Sequence, residues 1–293
     1  MKDPVALCAD AVAGWHAAWL TALGLRSAAD ADAWRALDSP PHIYFRAITL
    51  RPDTTAEAVA DTAGAVCDSW QTIDLAQAGF RDWRHEPWFL RAPSEPSADE
   101  TPAELEIVRV TTAQEVEELE AVSVRGFGNE DDTIESGTIH PPAILDESRM
   151  VLWLGRVEGK PVGAAMSYRT DEAVGIFGVT TIASMRRRGY GTALTRAAML
   201  VETGLPSVLA PSPEGEGVYR RLGFEHVGEL RIWSRLGKPS IAAPPLSREA
   251  RPRDTAIAAW SLDEHLPAVQ RIEHRPIGAD PTRITKDRVD IRA

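Results

Sequence analysis

Apolar residues at Val5, Cys8, Val12, Trp15 and Trp19 recur at steps of three and four, the spacing that gathers side chains on one face of an α-helix. The pattern then changes. His42 to Leu50 (HIYFRAITL) is rich in β-branched and aromatic residues and predicts a strand, and Thr54-Thr-Ala-Glu57 has the form of a capping box opening a second helix. The first 92 residues therefore read as alternating helix and strand, ending in Glu86-Pro-Trp-Phe-Leu-Arg91.

From Ala92 to Glu104 the chain turns to Pro, Ser, Ala and acid (APSEPSADETPAE), a composition with little apolar area to bury, which reads as a linker. Beyond it Ile107 to Val110 predicts a short strand, and Thr112-Ala-Gln-Glu115 a second capping box ahead of Val116, Leu119 and Val122. Met150 to Tyr168 holds two apolar runs around Glu158-Gly-Lys-Pro161, a β-hairpin. A strand from Ala173 to Ile182 runs into a basic, glycine-containing turn, and Leu194, Ala197, Ala198 and Val201 mark the helix after it. A short strand at Ser207 to Ala210, a helix ending at Leu222 under a Gly223 cap, and a strand through Val227 to Trp233 complete the pattern. The expected organisation is an N-terminal α/β domain at 1–92, a linker at 93–104, a second domain at 105–236, and a Pro- and Arg-rich tail at 237–293, partly flexible and without an assigned role.

The net charge of −11 argues against general affinity for nucleic acid or anionic lipid, so any anion site must be local. Cys8 and Cys67 are the only cysteines, too few for a disulfide framework or a thiolate metal site, and a reduced, cytoplasmic setting is expected. No metal site is expected. The chain lacks HExxH, GxxxxGK[ST] and GxSxG, which leaves zinc hydrolase, P-loop and α/β-hydrolase chemistry without residues.

The segment richest in chemistry is Val179-Thr-Thr-Ile-Ala-Ser-Met-Arg-Arg-Arg-Gly-Tyr-Gly-Thr192, placed between a strand and a helix. A helix N-terminus presents unpaired N–H groups and partial positive charge to an anion, Arg186, Arg187 and Arg188 add charge, and Gly189 and Gly191 let backbone approach a ligand closely. Arg186-Arg-Arg-Gly189-Tyr-Gly191 resembles the pyrophosphate loop of the GNAT superfamily of acetyl-CoA-dependent N-acetyltransferases, Arg/Gln-x-x-Gly-x-Gly/Ala. Val218-Tyr219-Arg-Arg-Leu-Gly223-Phe224 resembles that family's tyrosine helix. Ser212 stands where the family often has Asn, and Ala183 where it often has Pro.

The resemblance, which covers roughly Glu106 to Arg235, implies a mixed, mostly antiparallel sheet flanked by helices, with the first 92 residues a smaller α/β domain that could be a degenerate GNAT-like half. It implies acetyl-CoA as co-substrate, held by Arg186 to Thr192 and by the splayed strand at Val179, Thr181 and Ile182. Tyr219 is then the general acid for the CoA thiolate, since a phenol of pKa about 10 keeps its proton at neutral pH. Glu130 and His140 are candidates for the base, and Asp131 and Asp132 for attracting a cationic acceptor. The acceptor is an amine on a small molecule or a peptide, with no nucleic-acid or membrane partner expected and a homodimer left open. Two other classes stay open from sequence: a non-catalytic CoA-binding or regulatory module, and an interaction protein without a cofactor.

Overall fold

The computed structural model describes residues 3–93 and 101–235, so the expected tail and most of the expected linker lie outside the described residues. The first helix, α1 (Pro4–Ala22), starts on Asp3, whose side chain accepts from the Val5 N–H at 3.1 Å, with Pro4 in the first turn. It is buried on more than the one face its spacing predicted: Leu7, Ala9, Ala11, Ala13 and Leu20 are enclosed along with Trp15 and Trp19. Four short strands follow, β1 (Ser27–Ala29), β2 (Ala33–Ala36), β3 (Ala47–Thr49) and β4 (Ala65–Asp68), then the long β5 (Arg81–Arg91). The strand expected over His42 to Leu50 is confined to β3. The helix expected after Thr54 is a single 3-10 turn at Ala56–Ala58 with no side-chain cap bond.

The second half runs β6 (Glu106–Arg109), α2 (Ala113–Phe127), β7 (Met150–Val157), β8 (Lys160–Arg169), β9 (Val174–Thr181), α3 (Tyr190–Met199), β10 (Ser207–Leu209), α4 (Glu216–Arg221) and β11 (Glu225–Ser234). The box at Thr112 forms in full, its hydroxyl accepting from the Glu115 N–H and the Glu115 carboxylate receiving the Thr112 N–H. The hairpin β7–β8 pairs from Met150↔Tyr168 to Val157↔Lys160.

Among the described residues the eleven strands join one sheet in the order β1-β2-β3-β4-β11-β5-β10-β9-β8-β7-β6. Only β3–β4 and β9–β10 are parallel among the neighbouring pairs. The N-terminal strands thus extend the sheet of the second half, and β5 lies inside it, between β10 and β11. Helices α1 and α2 cover one face, where Trp15, Trp19 and Trp88 share a core with Leu119, Leu154 and Met166. On the other face Leu194 and Ala198 of α3 pack on Phe89, Ile176 and Leu209. Adjacent β5 residues Trp88 and Phe89 so serve opposite cores, as strand alternation requires.

Candidate active site

Strand β9 pairs with β8 along its length but with β10 only at Ser207↔Val174 and Val208↔Gly175. Beyond Gly175 the two strands part. Gly178, at φ +60°, stands where the β8–β9 register shifts, an extra residue that bends β9 locally. A cavity occupies the opening, walled by Ile176 to Val179, by Leu209 and Ala210, and by Ser212 and Tyr219.

After β9 the chain makes a 3-10 turn at Ala183–Met185 and enters α3 through Gly189, whose φ of +84° only glycine adopts freely. Among the described residues no side chain caps α3, so the N–H groups of its first turn, around Gly191 and Thr192, are available to an anion. Arg186 does not point its charge at that space: its guanidinium donates to the Thr181 carbonyl at 3.1 Å and the Gly126 carbonyl at 2.7 Å, tying the turn to β9 and α2. Arg187, at φ +63°, is exposed, and Arg188 reaches the Tyr190 hydroxyl, which donates to Glu104 at 2.9 Å. Among the described residues, a Cβ on Gly191 would meet only the Thr181 hydroxyl, at 3.9 Å. The fold itself therefore has room for a side chain there. Glycine in a helix interior costs about 0.5–1 kcal/mol relative to alanine, and a phosphate brought close to the backbone is what that space and those amides fit.

The backbone expected to be open at Thr181 and Ile182 is engaged instead. The Ile182 N–H donates to the Val162 carbonyl at 3.0 Å, and the Thr181 carbonyl is taken by Arg186. The stretch that faces the cavity lies earlier, from Ile176 to Val179, and includes the expected Val179.

Tyr219 is positioned by a compact corner. Ser212 Oγ accepts from the Gly215 N–H at 3.2 Å ahead of α4, and after it Gly223 turns at φ +83° so that the Phe224 N–H reaches the Tyr219 carbonyl at 3.0 Å. The Tyr219 and Phe224 rings meet edge to face, 5.9 Å between centroids. Burial pushes the Tyr219 phenol up to about 12, opposed by a hydrogen bond with Thr195 on α3. Thr195 in turn donates to the Gly191 carbonyl at 2.8 Å. The phenol is thus linked to the glycine turn. Thr195 escaped sequence reading, although it stands one helical turn after Gly191.

The expected bases are placed elsewhere. Glu130 is exposed, accepts from the Ser184 N–H, and is held below the usual carboxylate range chiefly by that bond. His140 is buried against Trp19, 4.5 Å between ring centroids, and burial pushes its imidazole down to about 3. Neither lines the cavity. Asp132 is occupied with Asn129, accepting its N–H at 2.7 Å. The carboxylate on the cavity wall is Glu86 of β5, held by Arg84 Nε at 2.6 Å and raised above the ordinary range by burial. Its only sequence signal is an acid set among aromatics (Trp83-Arg-His-Glu86-Pro-Trp88) in a stretch that reads as a strand only once its partners are known.

Glycine turn, parted strands and tyrosine helix define a class, and residues 114–224 match the model of the acetyltransferase (GNAT) family. This part of the chain is a GNAT acetyltransferase domain. A GCN5-related N-acetyltransferase from Kribbella flavida superposes with a TM-score of 0.54 at 21% identity, over 78% of this chain and 96% of that one. A GNAT-family protein from Novosphingobium aromaticivorans gives 0.48 at 15% identity, over 77% and 97%. The first likeness is one of fold, and it extends well beyond the matched span. No curated protein matches the chain.

Proposed function

We propose that the protein is an acetyl-CoA-dependent N-acetyltransferase that moves the acetyl group to an amine by direct attack. The observation that carries this reading is a cavity in the slit between β9 and β10 with Tyr219 on its wall, whose phenol is linked through Thr195 to the uncapped N-terminus of α3. The amides of α3's first turn suit the pyrophosphate, with Arg187 and Arg188 adding charge nearby. The β9 edge from Ile176 to Val179 suits the pantetheine, which would extend the ladder that β10 abandons. A β9 amide facing the slit would polarise the thioester carbonyl as negative charge develops on its oxygen.

Tyr219 carries its proton throughout the neutral range, because burial raises its pKa. The amine forms the C–N bond, the C–S bond breaks, and the electron pair left on sulfur takes the phenolic proton. Tyr219 regains a proton from the departing amine proton through solvent. Cys8 and Cys67 are both fully enclosed, and burial pushes both thiols up, which fits transfer without a cysteine-bound acyl group. Tyr219→Phe is expected to bind acetyl-CoA within threefold of the wild type and to lose at least 100-fold in kcat, read as CoA thiol release. Unchanged turnover would remove Tyr219 from the reaction.

A further inference from the structure

The cavity does not end at the slit. It continues to the α1 side of the sheet, where its wall is built by the N-terminal segment and changes character. Trp15, Phe45, Trp83, Trp88 and Phe177 make that wall largely aromatic. Two hydrogen-bond acceptors interrupt it, along with the Arg84 guanidinium that is paired with one of them. One is the Glu86 carboxylate: both Arg84 bonds converge on Oε1, leaving Oε2 outside the pair. The other is His16, which is 4% exposed. Its Nδ1 lies 2.8 Å from the Val12 carbonyl, which can only accept, so Nδ1 carries the hydrogen. Burial keeps the ring neutral, its pKa pushed down to about 4, so Nε2 bears a lone pair, and that atom has no hydrogen-bond partner among the described residues.

A carboxylate oxygen and a bare imidazole nitrogen both call for N–H donors, and aromatic faces attract the cation that carries them. A largely aromatic wall whose single carboxylate is already paired with Arg84 through Oε1, and keeps only Oε2 outside that pair, suits at most one positive charge on an apolar body. A polyamine or an amino sugar would leave its remaining charges or hydroxyls against tryptophan rings without partners, a desolvation loss the site does not repay.

We propose that this N-terminal half of the cavity is the acceptor site, that it takes a primary ammonium on an aromatic-sized apolar body, and that Glu86 receives the ammonium proton, with His16 Nε2 as second acceptor. The inference rests on the acetyl-transfer reading above. One proton passes from the ammonium to the Glu86 carboxylate and on to solvent, freeing the nitrogen lone pair for the thioester carbon. The second N–H proton leaves as the C–N bond forms and balances the proton that Tyr219 gives to the CoA sulfur. Amine nitrogen loses two protons in all; one ends on the thiol and one in solvent.

The test uses the full chain with acetyl-CoA and follows thiol release with 2-phenylethylamine, tryptamine, spermidine and a lysine-containing tetrapeptide. The aromatic amines are expected to exceed spermidine and the peptide at least tenfold in kcat/KM. Glu86→Gln should lower kcat/KM for them at least 100-fold while the Kd for acetyl-CoA, by titration calorimetry, stays within twofold; Glu86→Asp should recover at least tenfold of that loss. Wild-type kcat/KM in Glu86→Gln, or a preference for spermidine or the peptide, overturns the acceptor assignment and leaves acetyl transfer standing. Failure of the wild type to bind acetyl-CoA would overturn both. A measurement independent of any variant is tryptophan fluorescence titration of the wild type with 2-phenylethylamine and 2-phenylethanol. The amine should bind at least tenfold tighter, and equal binding overturns the role of the acceptor pair.

Discussion

Gly189 and Gly191 look alike in sequence and do different work. Gly189 holds a φ of +84°, so a side chain there is strained whatever the space around it. Gly191 sits in the first turn of α3 with almost nothing near the position of its missing Cβ. Gly191→Ala should therefore keep or raise the midpoint of urea unfolding, by up to about 1 kcal/mol on helix propensity, while weakening acetyl-CoA binding at least tenfold in calorimetry. A loss of stability with unchanged affinity would show that the glycine serves the fold and not a ligand. At this scale the sequence made Tyr219 and the glycine turn legible, because their chemistry is tied to a short local pattern. Glu86, His16 and Thr195 were not, because each acquires its place only through contacts with distant parts of the chain.

The two capping boxes show why identical-looking signals diverge at the level of an element. The Thr112 box leads into Val116, Leu119 and Val122, which bury against the sheet, so tertiary packing rewards the helix that the box starts. Thr54 instead turns its hydroxyl to the Asp32 carbonyl at 2.9 Å, and Glu57 bonds Thr55, so the reciprocal bonds never form. Strand β5 was hidden for a different reason. Pro87 argues against a central strand, yet β10 ends at Leu209, opposite Phe89, so Pro87 has a ladder on the β11 side only. Of its charged residues, Arg84 and Glu86 line the cavity, a placement that no local pattern shows. Helix α2 also carries an unanticipated anchor: the buried Glu120 carboxylate accepts from the backbone N–H groups of Gly137, Ile139 and His140 at 2.6, 2.7 and 2.9 Å. Glu120→Ala would leave those three donors without their acceptor, His140 in the interior and Gly137 and Ile139 partly buried, and at about 1–3 kcal/mol for a buried donor a destabilisation of more than about 1 kcal/mol is expected in urea unfolding. A change below 1 kcal/mol would mean that water replaces the carboxylate.

At the scale of the molecule, the two halves are knitted together. β5 pairs with β10 by Ser207↔Arg91 to Leu209↔Phe89 and with β11 from Glu225↔Leu90 to Ser234↔Arg81, while the span matching the GNAT family contains neither β5 nor β11. A protease site placed within residues 94–100 should, after cleavage, give two fragments that co-elute in size exclusion and retain acetyl-CoA binding. Expressed alone, a fragment beginning at residue 101 should be insoluble, since β10 and β11 would expose unpaired edges. Separation of the cleaved fragments without denaturant would contradict this. The same interleaving sets an order of events during synthesis. Strands β4 and β5 wait for the last one: Arg81 finds its partner only when Ser234 has left the ribosome, and Ala65 waits for the same residue. Long-range pairings of this kind are slow to form. A nascent chain stalled before Glu225 would hold β4 and β5 open along the edges that β11 closes, and these are the states that trigger factors and holdases bind, so the yield of folded protein should depend on chaperone supply more than on the intrinsic stability of the finished sheet.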